Sequence, residues 1–187
     1  MEHFYKNIYG FCDYTPLYKD VAERFPSGSH FVEVGGFLGK SAVYMAVEII
    51  NSGKHIKFDV VDHWQGSAEH ATADGINLET LYEDFLKNVE PVKGIINPIR
   101  MNSREASKLY KLNSLDFIFI DADHDEEAVK ADLISWMPRL KEDGVIAGDD
   151  INHPGVANAV KWFFDTEKLE IVGAPHRGRQ WMIDLSR

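Results

Sequence analysis

Cysteine is almost missing from this chain: Cys12 stands alone among 187 residues. An intramolecular disulfide and a thiolate zinc site are therefore excluded. Cys12 lies in an aromatic-rich stretch with no helper residue beside it, so it is not expected to act as a nucleophile. Long apolar runs are missing too; none approaches the roughly 20 residues of a membrane-spanning helix. The polar start Met1-Glu2-His3 does not read as a signal peptide, so a cytoplasmic location with no membrane partner is expected. Positive charge is in deficit: 20 Lys and Arg face 30 Asp and Glu, a net charge of −10. Such a chain grips nucleic acid or an anionic membrane poorly and suits cations and neutral small molecules better. Low-complexity tracts, repeats and linkers are absent as well. Residues 1–187 are accordingly read as one domain, with 1–27 as an N-terminal helical or lid segment.

What is present is an alternation of strand and helix signals. Thr15-Pro16 reads as a helix start, with the threonine as cap and the proline at the first helical position. Strands are expected at 31–35, 56–62, 95–100, 115–121 and 144–149, and helices at 39–50, 78–89, from Ser103, around 129–140, and from 152 onward. The run Leu115 to Asp121 is nearly unbroken in apolar residues, as expected of a strand covered on both faces. Five alternations argue for a parallel sheet with helices on both sides. Residues 170–172 and 180–185 read as two further strands with no helix between them, expected to form a hairpin and give the sheet an antiparallel edge.

Four of these strands end in acids: Glu33, Asp62, Asp121 and the pair Asp149-Asp150. In open parallel sheets ligands bind beyond the carboxyl ends of the strands, so the pattern marks that edge. After the first strand runs Glu33-Val34-Gly35-Gly36-Phe37-Leu38-Gly39-Lys40-Ser41. Its glycines permit a tight turn and close approach to a ligand. The dinucleotide fingerprint fails because Glu33 occupies the first glycine position, and the P-loop fails because position 34 is valine. A carboxylate there suits hydroxyls, an ammonium or a sulfonium rather than a pyrophosphate.

With the acid, the glycine turn, Asp62 and the closing strand pair, residues from roughly 28 to 185 resemble the class I S-adenosylmethionine-dependent methyltransferases. The resemblance implies an α/β, Rossmann-like doubly wound sheet, mostly parallel, with a C-terminal antiparallel hairpin strand. It also implies cofactor contacts from Glu33, Gly35, Gly36, Gly39, Ser41, Asp62, Ser103 and Asp121. Gly35 and Gly39 would pass near the methionine portion, Asp62 would take the ribose hydroxyls, and Ser103 would lie near the adenine, cap a short helix, or both.

Asp121 and Asp149-Asp150 are expected to converge, because their strands should be neighbours. Three carboxylates in a small space call for protons or a cation, and oxygen ligands suit Mg²⁺ or another hard divalent ion. The sequence Asp121-Ala122-Asp123-His124 with Asp149-Asp150 is similar to metal-dependent O-methyltransferases acting on sugar hydroxyls of macrolide and aminocoumarin antibiotics, and more distantly to the catechol type. That likeness implies Asp121, Asp149 and Asp150 as metal ligands and Asp123 as general base, with His124 at the position where the catechol type keeps its base. The short chain ahead of the first strand favours a small acceptor: a vicinal diol, sugar or catechol. Three alternatives stand beside this reading: a metal-independent methyltransferase, a non-catalytic module binding the cofactor or a nucleoside, and, more distantly, an NAD oxidoreductase. A homodimer is the default assembly. Trp64 is either a cofactor cover or a packing residue, and Phe4, Tyr5, Tyr9, Phe11 and Tyr14 are either a lid, a subunit contact or a docking segment. Between Asp116 and Asp150 stand 11 acids against 3 bases, so the negative charge is concentrated where the site is expected.

Overall fold

Side chains on a strand alternate between faces, and this chain uses both faces for burial. The computed structural model describes residues 1–66, 76–167 and 179–186. Its strands are β1 (His30–Val34), β2 (Lys57–Asp62), β3 (Ile96–Arg100), β4 (Leu115–Ile120), β5 (Leu140–Gly148) and β6 (Trp181–Asp184). They form one six-stranded sheet in the order β3-β2-β1-β4-β5-β6. The first five are parallel, and β6 runs antiparallel to β5, with Gly148 opposite Trp181 and Val145 opposite Asp184.

Phe31, Phe58, Val60, Phe117 and Phe119 point to one face, which is covered by α1 (Thr15–Arg24), α2 (Lys40–Ser52) and α3 (Leu81–Val89). Val32, Val34, Val61, Ile118 and Ile120 point to the other, under α4 (Ser103–Ser107), α5 (Glu126–Trp136) and α6 (Pro154–Glu167). Each fully buried side chain of this kind contributes about 1.5–3 kcal/mol. The order reverses between β1 and β4, which opens a crevice at their carboxyl ends.

Several boundaries depart from the sequence expectation. Thr15 is the first residue of α1 rather than its cap; Tyr14 holds that position, with no side-chain capping bond. Strand β5 starts at Leu140, not 144, because the pairing with β4 continues past a register shift between Leu115 and Phe117. Asp125 is the cap of α5 and accepts from the backbone N–H of Glu127 and Ala128. The strand expected at 170–172, and with it the hairpin, lies outside the described residues. Among the described residues no helix is long and apolar enough to cross a membrane.

Candidate active site at the carboxyl edge of the sheet

The crevice between β1 and β4 widens into a cavity of about 1080 Å³. Its floor is the turn after β1. Gly35 has φ of +101°, and a Cβ there would lie 1.8 Å from the Asp121 carbonyl oxygen. Only glycine lets β1 leave the sheet this close to β4. The next turn residue, Phe37, has φ of 42°, a strained conformation for a bulky side chain. Asp62 holds it there: one carboxylate oxygen accepts from the Gly36 and Phe37 N–H groups, both at 2.9 Å, and the other from the Trp64 N–H at 2.7 Å.

Gly35, Gly36, Ser41, Asp62, Ser103, Asp121, Asp123, His124, Asp149 and Asp150 all line this cavity. Two residues expected to contact the cofactor do not line this cavity. Glu33 shares a face with Phe31, so period-two alternation turns it inward beneath α1 and α2, where it is 0% exposed. Its carboxyl accepts from Ser41 Oγ at 2.5 Å and Tyr18 OH at 2.9 Å. Burial pushes its pKa up to about 8, although both hydrogen bonds pull it down. Gly39 likewise lies off the cavity; a side chain there would press on Val89 and Phe85, so helix packing explains the glycine. Ser103 reaches the cavity but is not a cap, since Asn102 caps α4. Its hydroxyl donates to Asp132 at 2.6 Å and accepts from the Trp136 indole at 2.8 Å. Trp64 is buried against Tyr82 and Phe85, its indole N–H donating to the Phe37 carbonyl, which makes it a wedge under the turn.

Beyond β4 and β5 the acids converge, but not all as expected. Ligand atoms of Asp121, His124 and Asp150 lie within 4.8 Å of one another. Asp149 lines the cavity but stands outside this trio: its Oδ1 accepts from Gln180 Nε2 at 2.9 Å, and it is 4% exposed. The difference follows from φ of 56° at Asp150, which sends the two neighbouring side chains apart. His124 Nε2 sits 3.0 Å from Asp150. Asp123 is exposed, and one of its oxygens accepts from the Asp125 N–H at 2.9 Å. Burial raises the Asp121 pKa to about 7, Asp149 raises it further, and a hydrogen bond from Tyr14 OH at 3.0 Å opposes both. Burial also raises Asp149, partly offset by its hydrogen bonds.

Four residues at this edge carry no motif and were not singled out by sequence as site residues. Tyr14 sits in the aromatic N-terminal stretch and is the donor to Asp121. Lys40 donates to the Gly10 carbonyl at 2.7 Å and ties that stretch over the cavity, where Tyr9 and Phe11 form part of the wall. Gln180 and Arg179 arrive from just before β6. The Arg179 guanidinium lies 3.3 Å from Asp150 and 3.5 Å from both Asp149 and Asp13. The Cys12 thiol is pushed far above the ordinary range by burial and then by Glu33 and Asp121.

Comparison with known proteins agrees with the architecture. No curated protein sequence matches the chain. The O-methyltransferase NovP superposes with a TM-score of 0.70 at 14% identity, over 92% of this chain and 79% of that one. A putative caffeoyl-CoA O-methyltransferase from Staphylococcus aureus gives 0.67 at 15%, over 96% and 87%. The calicheamicin methyltransferase CalS11 gives 0.62 at 15%, over 90% and 76%. At such identities the likeness establishes the fold. A family described as a methyltransferase domain matches residues 32–151, more than half of the chain, running from β1 through the glycine turn to the acid pair after β5. The chain belongs to this methyltransferase family and is an S-adenosylmethionine-dependent methyltransferase of the class I, Rossmann-like fold.

Proposed function

We propose that this enzyme methylates a hydroxyl oxygen of a small molecule, assisted by a divalent cation held at Asp121, His124 and Asp150. The observation that carries the reading is the convergence of these three side chains within 4.8 Å, in the same cavity as the glycine turn. Two carboxylates and an imidazole fit a divalent ion; the imidazole makes Mn²⁺ as suitable as Mg²⁺. Similarity in fold to NovP and to a putative caffeoyl-CoA O-methyltransferase, both O-methyltransferases by name, supports oxygen as the acceptor atom.

Bound there, the cation would lower the pKa of an acceptor hydroxyl and neutralise the alkoxide formed. The chain's own residues do the rest. Gly35 and Gly36 leave room for the donor's methionine portion, and Asp62 faces its ribose. Ser103 borders the same cavity where an adenine would end. Asp123, exposed and with one oxygen uncommitted to the Asp125 N–H, takes the hydroxyl proton. Tyr9 and Phe11 line the cavity with largely exposed rings, apolar surface against which an acceptor would pack. The aromatic wall and the acid cluster together favour a vicinal diol, sugar or catechol. A homodimer and a cytoplasmic location complete the proposal.

A second reading has its own observation. His124 paired with Asp150 at 3.0 Å is the arrangement of a general base held by a carboxylate, and it needs no metal. Methyl transfer from S-adenosylmethionine to catechols and sugar diols, assayed with and without EDTA, separates the two. Activity abolished by EDTA and restored by Mn²⁺ or Mg²⁺ supports the first. Activity that survives EDTA and Asp121→Asn ends it and leaves His124 as the base.

A further inference from the structure

The acid cluster already has a cation. Arg179 stands 3.3 Å from Asp150, 3.5 Å from Asp149 and 3.5 Å from Asp13, so one guanidinium faces three carboxylates from two parts of the chain. Asp13 precedes α1, the acid pair follows β5, and Arg179 itself precedes β6. Gln180 repeats the bridge with its side-chain amide, 2.9 Å from Asp149 and 3.4 Å from Asp13. The Arg179 Nε is buried yet makes no hydrogen bond. It faces Asp13 Oδ2 at 3.5 Å as an ion pair, and Nη2 donates to Asp149 over a long 3.5 Å, so the guanidinium meets these carboxylates chiefly through its charge.

We propose that Arg179 is a resident counter-cation of the acid cluster, and that it competes with a divalent ion for Asp150. The proposal rests on the metal reading given above and goes beyond it. Asp150 belongs both to the group that would hold the metal and to the Arg179 ion pair. Two positive charges on one carboxylate repel each other, so metal loading requires Arg179 to withdraw. When it withdraws, Asp13 keeps only the long Gln180 contact at 3.4 Å among the described residues, and the N-terminal stretch that walls the cavity loses one of its ties to the acid pair. Arg179 is thus a positioning residue: it sets how tightly a metal binds without touching substrate.

The test is calorimetric titration of Mn²⁺ into the wild-type protein, Arg179→Met and Arg179→Lys, at a pH above the Asp121 value of about 7. Arg179→Met removes the charge and keeps much of the volume, and it should tighten Mn²⁺ binding by about tenfold or more. Arg179→Lys keeps the charge and should stay within about threefold of wild type. Thermal melting without metal checks that the variants fold, and Arg179→Met should be the one that Mn²⁺ stabilises most. Binding to the wild type that is unchanged or weakened in Arg179→Met overturns the inference alone. Equal tightening in both variants overturns it as well, since charge would then not be the cause. Absence of Mn²⁺ binding in all three proteins overturns both the inference and the metal of the proposed function.

Discussion

Glu33→Gln tests the physical account of the turn after β1 directly. Glu33 is completely buried and holds its two hydrogen bonds from Ser41 and Tyr18 at 2.5 and 2.9 Å. Burial raises its pKa from 4.5 to about 8. A carboxyl raised in the folded state binds its proton more tightly there than in the unfolded chain. Its contribution to stability is therefore fully present below pH 4.5 and is lost as pH rises toward about 8. At about 1.4 kcal/mol per pH unit, the loss between 4.5 and neutrality is about 3 kcal/mol. Glutamine has nearly the same shape, stays neutral, and can accept one bond and donate the other. Urea denaturation of both proteins across this range should show Glu33→Gln gaining on wild type by about 3 kcal/mol on reaching neutral pH. The difference between the two proteins removes the contribution of other titrating groups. A difference that stays flat with pH would refute the burial argument. Because Glu33 lies off the cavity, S-adenosylhomocysteine affinity should change by less than about threefold; a larger loss would show that Glu33 acts on the cofactor after all.

Two further outcomes follow from the same geometry. Asp121 must be ionised to hold a cation, and its pKa lies at about 7; Mn²⁺ affinity measured by calorimetry should fall about tenfold per pH unit below that value, and Tyr14→Phe, which removes the hydrogen bond that opposes the rise, should move the midpoint upward. Gly35→Ala places a methyl group 1.8 Å from the Asp121 carbonyl at φ of +101° and should cost about 3 kcal/mol or more in thermal or urea unfolding, whereas a cost below about 1 kcal/mol would mean the turn is less constrained than its geometry states.

The sheet was readable in advance because its signals are local. The nearly unbroken apolar run in 115–120, the glycine at Gly53 that ends α2 and the acids at strand ends each act within a few residues. Asp62, Asp121 and Asp150 reach the cavity for the same reason: each stands at or just past the end of a parallel strand. Glu33 lies off the cavity because it shares the face of Phe31, under α1 and α2, a face that period-two alternation sets but that a motif does not express. Asp149 stands outside the Asp121, His124 and Asp150 trio beside the left-handed backbone at Asp150, a conformation that only the folded chain displays. Tyr14 and Arg179 were illegible for another reason. Tyr14 stands 107 residues from Asp121, and Arg179 stands 30 residues from Asp149 and farther still from Asp13; pairing at such separation is set by packing.

The central claim is that this cavity binds the methyl donor, with Asp62 as the hinge between the glycine turn and the ribose. Calorimetric titration of S-adenosylhomocysteine into the wild-type protein, with Asp62→Ala beside it, tests that claim most directly. The account predicts saturable binding at one site per chain, weakened about tenfold or more by Asp62→Ala, which loses three backbone hydrogen bonds as well as the ribose contact. No binding to the wild-type protein, or binding indifferent to Asp62→Ala, would contradict it.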